Sequence, residues 1–253
     1  MNVVRTLTLI AALTSLAGPA LAQPAAPLRV HNVVLVHGAW ADGSSWAKVI
    51  PYLQAAGLKV TAVQNPLTSL ADAAATRRAL DQQDGPAVLV GHSWGGTVVS
   101  EVGTDPKVSA LVYVAARAPD ADEDFVKLAG QYPTPPARAG IVDHDGETKL
   151  NESAFLNDFA NGVDATTAKE LYAVQWPTAA TIFANRTTQA AWHDKPSFYA
   201  VSKQDKTIDP DFERFLASRM HATTIELNAG HLSMVSHPKQ IAELILKAAR
   251  QHE

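Results

Sequence analysis

Ser93 lies in a sequence pattern that can support covalent chemistry. Residues 91–96 read Gly-His-Ser-Trp-Gly-Gly, after an apolar run that predicts a strand and before residues that predict a helix. A serine at such a turn projects its hydroxyl above the sheet, where it can act as a nucleophile. Side chains two residues before and after it would collide, which gives Gly91 and Gly95 a steric reason to be glycine. The pattern predicts Ser93 as a catalytic nucleophile.

Asp205 and His231 are the residues expected to activate this serine. Asp205 follows a predicted strand at 196–201, and His231 follows another at 223–227. The carboxyl ends of parallel strands meet at one edge of a sheet, so both side chains should lie at the edge that holds Ser93. His231 would take the serine proton and then protonate the leaving group, while Asp205 would orient and stabilise the imidazole.

Other acids and histidines compete for these roles. Asp209 precedes a proline and is typical of a helix cap, with Asp211 in the first turn, so Asp205 is preferred as the acid. His92 is expected to pack beside the serine turn, and His37 to order the loop after the first strand.

Two backbone amides are expected to stabilise the negative charge that develops on a carbonyl oxygen during acyl transfer. One belongs to Trp94, whose N–H opens the helix after the serine. The other should come from the loop after the predicted strand at 32–36, which reads His-Gly-Ala-Trp. Ala39 is the preferred donor there, and Trp40 is the alternative.

Strands and helices alternate along most of the chain. This order predicts an α/β fold with a doubly wound, mainly parallel sheet. Further predicted strands are 59–63 and 108–114, and predicted helices are 44–56, 70–83, 212–220 and 238–251.

The segment at approximately 119–193 breaks this alternation. It is too long for a structureless loop in a compact domain, and it contains helical stretches near 124–129 and 165–173. We therefore expect an inserted helical cap over the active site. More than half of its aromatic side chains should form the cap's own small core, and the others should favour apolar substrate groups. The residues predicted for the substrate pocket are Trp40, Phe125, Trp176, Phe183 and Leu232.

Residues 1–22 have the pattern of a bacterial export signal. Arg5 precedes an apolar stretch that is too short to span a bilayer, and Ala20, Leu21 and Ala22 form an A-x-A cleavage sequence. The pattern predicts a mature, exported protein of residues 23–253, periplasmic or secreted, forming a single domain without membrane contact. The chain has no cysteine, which excludes disulfides and a lipid-anchored cysteine.

The composition is that of a globular enzyme domain. Hydrophobic residues make up 47% of the chain and charged residues 18%, which excludes disorder. The net charge is −4, and the absence of a basic run argues against a nucleic-acid partner. No convincing cluster of metal ligands is present, so neither a metal nor another cofactor is expected.

Five stretches resemble the small serine hydrolases of the α/β-hydrolase superfamily, the group of plant methyl-ester esterases, bacterial pyrethroid-type carboxylesterases and plant hydroxynitrile lyases. These stretches are residues 34–40, 91–96, 205–208, 212–219 and 230–234. The resemblance implies a cofactor-free hydrolase that cleaves a small-molecule carboxylic ester through an acyl-enzyme. It implies Ser93, Asp205 and His231 as the triad.

Two other functions are compatible with the same residues. The triad could serve perhydrolysis or lyase chemistry, or the fold could bind a ligand with little turnover. The lyases of this group keep a lysine directly after the histidine, and Leu232 in that position argues against cyanohydrin cleavage. The triad and the oxyanion loop together favour ester hydrolysis.

Overall fold

The structure is a computed structural model that describes residues 26–251, so the predicted export signal lies outside the described residues. The strands are β1 Asn32–Val36, β2 Lys59–Ala62, β3 Ala87–His92, β4 Val108–Val114, β5 Ile141–His144, β6 Glu147–Leu150, β7 Thr178–Ala179, β8 Ser197–Ser202 and β9 Thr223–Leu227. The helices are α1 Ile50–Ala55, α2 Asp72–Asp81, α3 Gly95–Val102, α4 Phe125–Ala129, α5 Glu152–Ala154, α6 Ala165–Ala173, α7 Pro210–Arg219, α8 Ser233–Ser236 and α9 Pro238–Ala249.

Six strands form the central sheet, in the order β2-β1-β3-β4-β8-β9, and every neighbouring pair is parallel. Strands β1, β3 and β8 are buried along their whole length. Burial on both faces explains why the sequence shows continuous apolar runs there instead of alternation. Helix α3 packs against α2, and α9 packs against α1, so helices cover the sheet. The predicted doubly wound parallel α/β fold is confirmed.

The helix predicted at 44–56 is divided in two. A 3₁₀ turn at Gly43–Trp46 comes first, with the Asp42 side chain accepting a hydrogen bond from the Ser44 amide. Helix α1 then begins at Ile50, with a proline in its first turn. Proline has no amide hydrogen to bond the preceding turn, so a continuous helix cannot pass through it.

The inserted segment between β4 and β8 is not purely helical, which corrects the predicted helical cap. Besides α4, α5 and α6 it contains an antiparallel sheet of β5, β6 and β7. Asp145 and Gly146, with φ of 55° and 85°, form the two-residue turn between β5 and β6. An Asp-Gly pair suits such a hairpin because both central residues need a positive φ. The cap is therefore a mixed α and β insertion.

No helix within residues 26–251 is long and apolar enough to cross a membrane.

Candidate active site

Ser93 occupies the sharp turn between β3 and α3. Its φ of 51° lies in the left-handed region, which is costly for a non-glycine residue and is typical of strained functional positions. A Cβ added at Gly91 would lie 2.6 Å from the Gly95 carbonyl oxygen, and one at Gly95 would lie 2.5 Å from that of Val36. Both glycines are thus required by close backbone contacts, in agreement with the steric argument from the sequence.

Asp205 and His231 form a buried pair at the carboxyl edge of the sheet. Asp205 Oδ2 lies 2.6 Å from His231 Nδ1, and both side chains are 0% exposed. The other oxygen of Asp205 accepts hydrogen bonds from the amides of Thr207 and Ile208, at 2.6 and 2.9 Å. The pair follows two neighbouring parallel strands, β8 and β9. The structure therefore brings these two predicted residues together.

The second ring nitrogen of His231 is directed away from Asp205. With Nδ1–H donated to the carboxylate, Nε2 carries the lone pair, and it has no hydrogen-bond partner among residues 26–251. No hydrogen bond joins it to Ser93 in the described part of the chain, and such contacts are often long before substrate binds. His92, beside Ser93, bonds the His231 carbonyl through Nε2 at 3.1 Å. His231 and the serine turn are thus in contact.

The loop after β1 is held by a buried histidine. The Asn65 amide donates to His37 Nε2 at 2.8 Å, and His37 Nδ1–H donates to the Gly38 carbonyl at 2.9 Å. Burial lowers the pKa of His37, which favours the neutral ring that these two bonds require. A Cβ at Gly38 would lie 2.7 Å from Cβ of Ser93. The loop is therefore fixed directly against the serine turn.

The two candidate oxyanion donors in this loop differ in their hydrogen bonding. The Trp40 amide donates to Thr178 Oγ1 of the cap at 2.9 Å. The amides of Ala39 and Trp94 donate to no other residue within 26–251. An amide that is already bonded is not available to a substrate oxygen, which favours Ala39 over Trp40.

Two buried carboxyl groups support the site, and the sequence did not reveal them. Asp72 accepts the indole N–H of Trp94 at 2.9 Å, and burial raises the pKa of this carboxyl to about 6. Glu213 accepts the Ser202 amide at 3.1 Å and contacts Asp205. Burial and the charge of Asp205 raise its pKa well above the usual value, which favours the protonated form. The sequence held one signal for Glu213, because this acidic residue lies among the apolar residues on the buried face of α7.

Asp209 caps α7, as predicted. Its side chain accepts hydrogen bonds from the amides of Asp211 and Phe212, at 2.9 and 3.2 Å. Its carboxylate is therefore occupied by the helix start, whereas Asp205 is paired with the histidine.

A cavity of about 440 Å³ opens beside Ser93 under the cap. Trp40, Phe125 and Phe183, three of the residues expected in the pocket, line it, and their role towards a substrate stays a prediction. Arg117 also lines it, and the sequence analysis missed this residue although it lies three residues after the end of a predicted strand.

Trp176 and Leu232 do not line this cavity, which corrects two of the predicted pocket residues. Trp176 is 55% exposed, because its neighbour Gln175 is the residue that turns inward to bond both backbone groups of Leu150. Leu232 is buried in a small separate cleft with Phe155 and Phe159. Neither side chain is placed to contact a substrate beside Ser93.

No group of three or more His, Cys, Asp or Glu residues within 26–251 is arranged to hold a metal ion. The expectation that the protein needs no cofactor stays a prediction.

Comparison with known proteins identifies the group to which this architecture belongs. A profile of the alpha/beta hydrolase family matches residues 33–244. Salicylic acid-binding protein 2 of Nicotiana tabacum is 26% identical over 259 positions, covering 87% of this chain and 98% of that protein. Methylesterase 3 of Arabidopsis thaliana is 27% identical over 259 positions, covering 88% of this chain and 98% of that protein.

Solved structures show the same fold. Polyneuridine aldehyde esterase has a TM-score of 0.74 at 19% identity, covering 87% of this chain and 99% of that one. A pyrethroid hydrolase from Sphingobium faniae has a TM-score of 0.72 at 19% identity, covering 87% and 97%. The match of the family profile spans most of the sequence, and the chain belongs to the alpha/beta hydrolase family.

Proposed function

We propose that this protein is a serine hydrolase that cleaves carboxylic esters through an acyl-enzyme. The observation that carries the proposal is the buried Asp205–His231 pair at the sheet edge that also holds the strained Ser93. The names of the relatives, a methylesterase and an esterase among them, support ester hydrolysis as the reaction class.

The geometry supports a two-step mechanism. The Ser93 oxygen attacks the carbonyl carbon while its proton passes to His231 Nε2, and Asp205 stabilises the imidazolium. The carbonyl oxygen, now negative, accepts hydrogen bonds from the amides of Ala39 and Trp94. The ester C–O bond then breaks, and the alcohol leaves with the proton from the histidine. Water attacks the acyl-serine by the same route, which releases the carboxylic acid and restores Ser93.

The test is a panel of 4-nitrophenyl esters of increasing acyl length, assayed with wild type and Ser93→Ala. We expect Ser93→Ala to keep the circular dichroism spectrum and to lose about 10⁴- to 10⁶-fold in kcat. Ser218→Ala, at an exposed position of α7, is the matched control and should match wild type. A folded Ser93→Ala protein that keeps more than a few per cent of the activity would show that Ser93 is not the nucleophile.

Covalent labelling distinguishes an esterase from a binding protein. Diethyl 4-nitrophenyl phosphate should add one diethyl phosphoryl group to the peptide that contains Ser93, as measured by mass spectrometry. No labelling, with no ester turned over, would favour the binding protein.

We also propose that residues 1–22 direct export. The sequence of Arg5, the apolar stretch and the Ala20-Leu21-Ala22 motif supports this. The mass of the protein purified from a periplasmic fraction should correspond to a chain that begins at Gln23. An intact chain confined to the cytoplasm would contradict export.

A further inference from the structure

Arg117 is a buried cation beside the proposed nucleophile. It is 9% exposed, and its own amide donates to the Ser93 carbonyl at 3.1 Å. Its side chain lines the same cavity as Ser93. Nε donates to Thr97 Oγ1 at 3.1 Å and Nη2 donates to the Phe183 carbonyl at 3.0 Å. These bonds hold the guanidinium at a fixed place in the cavity wall.

The guanidinium has no carboxylate partner within residues 26–251. Glu123 is the acid that acts on it electrostatically, but that carboxylate is paired with Arg219 through two hydrogen bonds of 2.8 and 2.9 Å. Burial lowers the pKa of Arg117 to about 9, so the group is still a cation at neutral pH. A buried cation without a paired anion is costly, and a bound anion would offset that cost.

Three aromatic rings pack near the cation, and they supply no carboxylate to pair with it. The guanidinium carbon lies 4.3 Å from the Phe125 ring centre, 5.5 Å from that of Trp94 and 5.6 Å from that of Phe183. Nη1 donates to no residue within 26–251, and it is not among the fully buried atoms of that range. The N–H groups of Nη1 and the second N–H of Nη2 are therefore uncommitted within residues 26–251, and guanidinium donors of this kind pair well with a carboxylate.

The other charged groups of the cavity wall are compatible with an anion. They are Arg138, which is exposed, and Asp209. The Asp209 carboxylate caps α7, where the amides of the helix start and its dipole compensate its charge. The cavity therefore has an excess of positive charge over apolar walls.

We propose that Arg117 binds a carboxylate group of the substrate, so that the preferred substrates are esters that carry a free carboxylate besides the ester bond. This inference rests on the proposed ester hydrolysis. Bidentate pairing would orient the ester towards Ser93 and would compensate the buried charge. Arg117 is in this sense a specificity residue, which acts on binding and does not take part in proton transfer.

Two pairs of esters test the proposal, one for each side of the ester bond. The acyl pair is mono-4-nitrophenyl adipate and methyl 4-nitrophenyl adipate, and the alcohol pair is 4-acetoxybenzoate and methyl 4-acetoxybenzoate. Each enzymatic kcat/KM is divided by the rate constant for hydroxide-catalysed hydrolysis of the same ester, so that intrinsic reactivity does not enter the comparison. In at least one pair, wild type should prefer the acidic ester in kcat/KM by about tenfold or more. Equal rates, or a preference for the neutral ester, in both pairs would overturn the proposal.

Variants assign the preference to one residue. Arg117→Gln should abolish it mainly through KM, and Arg117→Lys should keep part of it because the charge remains. Arg78→Gln, at an exposed position of α2, removes the same charge elsewhere and should leave the preference unchanged. A preference that survives Arg117→Gln and is lost in Arg138→Gln would assign the carboxylate to the mouth of the cavity and contradict the proposal.

A binding measurement separates this inference from the proposed function. Hexanoate and hexanamide differ in charge and little in shape, and calorimetry with wild type needs no turnover and no folded variant. Hexanoate should bind about tenfold more tightly or better. Equal affinities would overturn the role of Arg117 even if esters are hydrolysed. Tighter hexanoate binding without ester turnover would sustain the anion site and refute the proposed hydrolysis.

Discussion

The sheet edge and the cap position their side chains in different ways. At the edge, Ser93, Asp205 and His231 each lie within four residues of a strand end. Local hydrogen bonds help to fix this edge, as with Asp205 and the amides of Thr207 and Ile208, and the Asp205–His231 bond joins the ends of two neighbouring strands. In the cap, contacts join distant parts of the chain. Thr178 bonds the Trp40 amide 138 residues away, and the Phe183 carbonyl bonds Arg117 66 residues away.

This difference separates the residues that we propose for catalysis, at the sheet edge, from the cap residues that shape the cavity. The turns after the strands hold the candidate catalytic groups mainly through bonds within the sheet edge itself. The cap closes the cavity and determines what fits beside Ser93. Changes at the edge should therefore abolish turnover, changes at the junction should reduce it, and changes in the cap should mainly affect stability and substrate choice.

The sharpest test of the edge is Asp205→Asn. The neutral amide cannot stabilise the imidazolium as the carboxylate does, and its NH₂ group favours the wrong ring tautomer, so kcat should fall by about 10³- to 10⁴-fold. Asp211→Asn is the matched control, since Asp211 is exposed and pairs with Arg214 at 2.7 Å. Steady-state kinetics on folded proteins measure both. Activity retained in Asp205→Asn but lost in Asp209→Asn would move the acid to Asp209.

The junction between the two regions is tested by Gly230→Ala. A Cβ there would lie 2.2 Å from the Asn161 backbone oxygen of the cap, so one of the two segments must shift. Because His231 is the next residue, kcat/KM should fall by about 10- to 100-fold, as small displacements of catalytic groups do.

Gly85→Ala provides the control for this substitution. Its added Cβ meets nothing closer than the Asn32 side chain at 3.6 Å, and it should leave kcat/KM unchanged. Equal activities of the two variants would mean that the cap does not constrain the histidine.

The same division explains what could be predicted from the sequence. The parallel sheet and the residues at its edge follow from apolar runs and the turns after them, which are local signals. The cap hairpin was missed although Asp145 and Gly146 form a turn pair, because the exposed residues of β5 show no apolar alternation. The prediction that Trp176 lines the pocket rests only on its aromatic side chain, which suits apolar substrate groups. Its orientation depends on Gln175 bonding Leu150 across the cap, which no local pattern shows.

Within the cap, Thr178→Val removes the hydroxyl that accepts the Trp40 amide without changing the side-chain volume much. The buried amide would lose its partner, which should lower the free energy of unfolding by about 1–3 kcal/mol. Turnover should change by only a few fold, because Ala39 and Trp94 remain. Urea unfolding compares it with Thr166→Val, at an exposed position of α6. A loss of kcat as large as that of Asp205→Asn would show that the cap takes part in the chemistry.

The smallest expected effect concerns Glu213, behind the edge. Its pKa is raised above the usual 4.5, first by burial and then by Asp205, while the Ser202 amide and the charge of Arg214 act in the opposite direction. The folded state therefore keeps a proton that the unfolded chain releases near pH 4.5. Folded protein binds more protons in this window, so this group's contribution to stability falls as pH rises from about 4.5 towards the folded pKa.

Glu213→Gln keeps an N–H donor for Asp205 but cannot titrate. It should therefore remove the pH-dependent contribution of Glu213 to the free energy of unfolding. Tyr199, whose pKa burial and Glu213 also raise, stays protonated over the same range and is not a source of the slope. Urea unfolding of wild type and variant between about pH 5 and about pH 8 should give a wild-type stability that declines relative to that of the variant. Parallel curves would mean that Glu213 is ionised in the folded protein, and the edge would then hold two adjacent negative charges.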